Sequence, residues 1–85
     1  MDAHTFFQII PYESPAHYYS DVWDPQGITS IDDDPNELGR DLVAALGPID
    51  GCDEDESIEI VTAAATDYIN DLAIEEKMMA DAYGE

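Results

Sequence analysis

Carboxylates dominate the chemistry this chain could perform. They stand as a row at Asp32, Asp33 and Asp34, as a pair four apart at Glu37 and Asp41, and as a second row at Asp53, Glu54, Asp55 and Glu56 with Glu59 close behind. A last set, Asp67, Asp71 and Glu75, recurs every fourth residue and has Glu76 beside it. Side chains of this kind can hold a hard divalent cation, share a proton as an acid–base pair, or face the cationic groups of another macromolecule.

The first two uses find little support. A calcium-binding loop needs ligands at alternating positions, a glycine at about the sixth and a bidentate glutamate at about the twelfth. Counted from Asp32, Asp34 and Asn36 suit the early ligand positions, but Glu37 takes the glycine's place and Val43 the glutamate's. Counted from Asp53, Asp55 and Ser57 fit, and Ile58 then occupies the glycine position. A zinc site has no Cys/His set to draw on. Glycine-rich phosphate loops are absent, so no cofactor and no metal is expected. His4 and His17 lie in an aromatic stretch without a nucleophile motif, which suits structural histidines. Cys52 stands among Asp50, Asp53 and Glu54, the reverse of the electropositive surroundings that activate a thiolate. No enzyme is expected.

The third use is favoured by the overall charge. Of 85 residues, 21 are acidic and only Arg40 and Lys77 are basic, for a formal charge of -19. Ordinary surfaces intersperse both signs, whereas here at most two acids can find a basic partner within the chain. Unrelieved like charge also opposes compaction, so the field is kept at some cost to stability. It would repel nucleic acid and anionic lipid alike, and no apolar run approaches the ~20 residues of a membrane span. The single cysteine and the absence of a basic-plus-apolar leader lead us to expect a cytoplasmic protein. Its length allows one domain, residues 1–85, and its 45% hydrophobic content with eight aromatics is enough for a small core.

The elements that must position these acids divide the chain in two. Six of the aromatics lie in the first 23 residues, and 17 of the acids lie from Asp32 onward. We therefore expect core at the front and charged surface at the back. Thr5 to Ile10 is a short apolar run stopped by Pro11, and His17 to Trp23 is a second one stopped by the turn Asp24-Pro25-Gln26-Gly27. With Gly27 to Ile31 as a third strand, the expectation is an α+β fold: a small antiparallel β-meander, then one short and one long helix. An all-α alternative has Ser14-Pro15 capping a helix through Trp23, with Tyr19, Val22 and Trp23 on one face.

The helices that follow carry clearer signals. Asp34, Pro35 and Glu37 supply an N-cap, a first-turn proline and a capping-box acid ahead of Leu38, Leu42, Val43 and Leu46, and Gly47-Pro48 stops the helix. Gly39 costs it about 1 kcal/mol against Ala, so a tertiary contact must support it. Asp53 to Glu56 suit the positive end of the last helix's dipole. Ile58, Val61, Ala65, Tyr68 and Leu72 form its expected apolar stripe, with Ile58 to Val61 as a strand in the alternative reading. On that helix Asp67, Asp71 and Glu75 would stack ~6 Å apart. Duplex DNA carries a phosphate per ~3.4 Å of axis on each strand, so the ladder and the two acidic rows offer a comparable density of negative charge.

In size, charge and lack of motifs the chain resembles the small acidic inhibitors of phages and mobile elements, the DNA-mimicking anti-restriction and anti-CRISPR proteins. The resemblance implies a host-defence protein whose nucleic-acid channel the acids occupy. A local one joins it: His17 to Trp23, then Gly27 to Asp32, then Pro35 to Leu38 leading into Leu42 to Leu46 is similar to the strand, turn, strand, capped-helix order of HicB-type antitoxins. That one implies neutralisation of a small basic toxin. The partner expected is a basic nucleic-acid-binding protein or complex, met through the fourteen acids named at the outset; a homodimer stays open. The competing reading is an acid-adapted structural or regulatory domain of a halophile, hydrated by its carboxylates in concentrated salt.

Overall fold

A computed structural model describes the backbone of residues 2–83 and the side chains of residues 2–77. Helix α1 spans Ala3–Ile9, α2 spans Pro15–Tyr18 and runs on into a π-helical turn over Tyr19–Trp23, α3 spans Pro35–Leu46, and α4 spans Glu54–Tyr83. No strand occurs among the described residues, so the expected α+β meander is overturned in favour of an all-α fold.

Each misread segment has a local reason to be helical. Asp2 accepts a hydrogen bond from Thr5 N at 2.8 Å and so caps α1. Ala3, Phe6, Phe7 and Ile10 then fall at helical spacing and pack against the core, while His4, Thr5, Gln8 and Ile9 face out. Ser14 Oγ accepts from His17 N at 3.2 Å, and Pro15 takes the first position of α2, where its missing N–H costs nothing. The helix through Trp23 is thus the alternative made real. Its last turn widens, with Asp24 N donating to Tyr19 O at 2.9 Å. Gly27 to Ile31 is a loop held by side chains: the buried Asp24 accepts from Ile28 N and Thr29 N, and Asp33 accepts from Ser30 N.

α3 and α4 form as their signals predict. Asp34 caps α3 through Asn36 N at 2.9 Å, and Gly47 leaves it at φ +92°. Glu54 opens α4, so the strand alternative at Ile58 to Val61 is overturned as well. The 30 residues of α4 extend ~45 Å and account for most of the molecule's 49 Å long axis. α3 and α2 pack along it.

The core is shared between the two halves of the chain and is not confined to the front. Tyr18, Tyr19 and Trp23 meet Val43 of α3 and Ile60, Val61, Ala64 and Ala65 of α4. Of the predicted α4 stripe, Val61 and Ala65 are buried and Ile58, Tyr68 and Leu72 half-buried; Ser57, Ile60 and Ala64 are buried in addition. Leu46, the last residue of the apolar spacing on α3, is 63% exposed. Gly39 receives its tertiary support here. A Cβ at this position would strike Thr62 Oγ1 and come within 3.0 Å of Ile58 O, so the missing side chain lets α3 lie close on α4. Ser57 Oγ accepts from Ile49 N at 2.8 Å and ties the connection between the two helices to the start of α4.

Candidate functional site

The fourteen acids separate into those that build the fold and those left to solvent. Asp34 is a cap and Asp33 holds a loop. Asp53 and Glu56 form a reciprocal capping box: Glu56 N donates to Asp53 Oδ1 at 2.8 Å, and Asp53 N donates to Glu56 Oε1 at 3.2 Å. Asp67 reaches across the molecule and accepts from Ala16 N at 3.0 Å, satisfying an otherwise orphaned donor in the first turn of α2. Asp32, Glu37, Asp41, Glu54, Asp55, Glu59, Asp71, Glu75 and Glu76 are exposed. Arg40 and Lys77 are exposed too, and neither makes an ion pair among the described residues.

These acids do not share one face. Asp55 and Glu59 lie on the side of α4 opposite the buried Ala64, and Glu37 and Asp41 belong to α3. The ladder behaves differently. Asp67, Asp71 and Glu75 stand one heptad beyond Ile60, Ala64 and Tyr68, and a heptad returns a helix to nearly the same direction. They therefore prolong the packing face of α4. Where that face outruns the core it borders a cleft of about 300 Å³, lined by Glu13, Ser14, His17, Tyr68, Asp71 and Glu75 among others.

Three carboxylates thus meet in one concavity. Burial raises the Tyr68 phenol above its ordinary value, and the charges of Asp24, outside the cleft, and of Glu75, within it, add to the rise. Tyr12 flanks the cleft with its ring edge-on to His17 at 5.3 Å and donates its hydroxyl to Asp21 Oδ2 at 2.8 Å, a bond that raises its own pKa. Chemically, the cleft suits a guanidinium or ammonium group, for which carboxylates are the strong acceptors. Sequence reasoning missed Glu13 and His17 because they join Asp71 and Glu75 only through the packing of α2 on α4. The available signal was the Ser14-Pro15 cap, which places Glu13 at a helix start.

Among the described residues no three His, Cys, Asp or Glu side chains are grouped to hold a metal ion. No helix of the described residues is long and apolar enough to cross a membrane. His4 Nε2 lies 3.1 Å from Gln8 Nε2, a pairing along one turn of α1. Compared with family models, curated proteins and solved structures, the chain matches none.

Proposed function

We propose that this chain is a non-enzymatic inhibitor that binds a basic nucleic-acid-binding protein of the host-defence type, presenting carboxylates where that protein holds phosphates. The observation that carries the reading is the fate of the α4 packing face, which turns from apolar to acidic at Asp67 and, with Glu13, frames a cleft. A helix face that would ordinarily be completed by apolar contact here offers charge. The exposed acids of α3 and of the start of α4 lie away from the cleft and add to the overall negative field, and neither Arg40 nor Lys77 forms an ion pair among the described residues. Electrostatic steering then makes association fast and steeply dependent on salt. Its setting is the cytoplasm, where the nucleic-acid machinery it would block operates.

The test is capture followed by competition. The immobilised chain is incubated with the heparin-binding proteins of a bacterial lysate, and bound protein is eluted with a DNA duplex. A nucleic-acid-binding protein that elutes with DNA, and whose own DNA binding the free chain blocks, is the expected result. Recovery of no such protein, or of a partner that still binds DNA normally, overturns the reading. An Asp71→Asn, Glu75→Gln double variant should bind the captured partner more weakly and with a shallower salt dependence.

A further inference from the structure

Trp23 is the sole tryptophan of the chain, and it is 7% exposed with an indole N–H that finds no hydrogen-bond acceptor. Burial raises the pKa of the Tyr18 phenol and the neighbouring indole pulls it down, but the pair falls short of hydrogen-bond geometry. Buried donors are almost always paired, so this part of the core is incompletely satisfied in the free chain.

Two grooves meet at this side chain. One, of about 370 Å³, runs between the π turn and the α3–α4 connection and is bounded by Tyr18, Val22, Leu46, Pro48, Ile49 and Asp50. The other, of about 300 Å³, continues past Val22 and Leu46 to Pro25 and Ile28. Val22 is 41% exposed, Leu46 63% and Ile28 78%, so large aliphatic side chains rim the tryptophan on both sides. An apolar patch of this kind on an otherwise charged chain marks an interaction site.

We infer that this double groove is an anchor site for a basic polypeptide segment that carries a bulky aliphatic or aromatic side chain between lysines or arginines. The inference rests on the proposed binding of a basic protein and adds to it the contact that distinguishes one partner from any other cation. Charge selects the occupant: Asp50 lines the groove, and the surrounding field favours a cationic segment. A second copy would bring another charge of -19 against the first. The anchor side chain covers Val22, Leu46 and the exposed edge of Trp23, and the flanking cations face the exposed acids. Apolar anchoring supplies affinity that salt does not screen, and the charge supplies rate and orientation.

Two synthetic peptides of equal Lys and Arg content test it, one with Leu and Phe between the cations and one with Ser in their place. Binding and Trp23 emission are followed together. The expected result is that the Leu/Phe peptide binds at least about tenfold more tightly, as partial burial of an aliphatic side chain requires, and shifts the emission. Leu46→Ser, or Ile28→Ser where circular dichroism shows the first variant to be unfolded, should abolish that preference and leave binding of the Ser peptide unchanged. Equal binding of both peptides without an emission change overturns the anchor site and leaves the acidic reading intact. Binding of neither peptide at low salt overturns both. Self-association in sedimentation that shifts the emission without peptide, and is lost in Leu46→Ser, gives the groove to a second copy and overturns the cationic occupant.

Discussion

Ile60, Ala64 and Tyr68 occupy the same face of α4 as Asp67, Asp71 and Glu75, one heptad earlier, and the two sets do opposite work. Ile60 and Ala64 are fully covered and apolar because nothing there could satisfy a charge, while Tyr68 is half-buried at the edge of the cleft. The second begins where cover runs out. Asp67 sits at the boundary and is used once, as acceptor for Ala16 N. Beyond it Asp71 and Glu75 meet only a cleft. Position on a helix face does not decide whether a residue is structural; the neighbouring element does.

Exchanging the two chemistries should have the largest effect. Ile60→Asp places an unpaired carboxylate at a site with no solvent access and should cost more than about 4 kcal/mol, enough to prevent folding of so small a chain in dilute buffer, as circular dichroism would show. Asp71→Leu should leave the unfolding free energy from urea melts within about 0.5 kcal/mol of the parent, because it removes like-charge neighbours at i±4 from an exposed position. A loss on the scale of the Ile60 variant would mean that the cleft is part of the fold.

Changes at the boundary residue should have a smaller effect. Asp67→Ala should cost about 1 to 2 kcal/mol in denaturant melts, since Ala16 N loses its acceptor, while Asp67→Asn keeps an oxygen there and should cost less. Asp71→Ala serves as the control and should be close to neutral. Equal effects at 67 and 71 would dissolve the boundary.

The smallest effect is absent at neutral pH. Burial raises the phenols of Tyr18 and Tyr19 above their ordinary value of 10, so the folded chain holds protons that the unfolded chain releases. Stability from these groups is fully present below pH 10 and is lost as pH rises through the folded values. Ultraviolet titration should show phenolate forming late and together with unfolding. Phenolate appearing near pH 10 in a chain that remains folded would show that the packed end is open to solvent.

Much of the layout was legible, for reasons particular to each segment. Asp34-Pro35, Gly47-Pro48 and the acids ahead of α4 are local signals whose partners lie within a turn, and the structure places helix ends there. Thr5 to Ile10 and His17 to Trp23 misled as strands because a short apolar run has no period long enough to decide. The caps that decide them, Asp2 and Ser14, are single side chains. Among the acids, the helical spacing of Asp67, Asp71 and Glu75 was readable, but the direction in which that stripe looks was not.

The residues by themselves settle the charge of -19, the lack of internal cations to offset it, the mismatch with a calcium loop and the places where α3 and α4 begin. These follow from composition and from contacts across a few residues. Tertiary structure alone decides that Asp67 caps a helix 51 residues away, that Gly39 is a point of close approach, and that Trp23 is left with an unsatisfied N–H between two apolar grooves. Each of these depends on which elements lie against one another. That is fixed by the summed burial of Tyr18, Tyr19, Trp23, Val43 and the apolar half of α4, and no local pattern reports it.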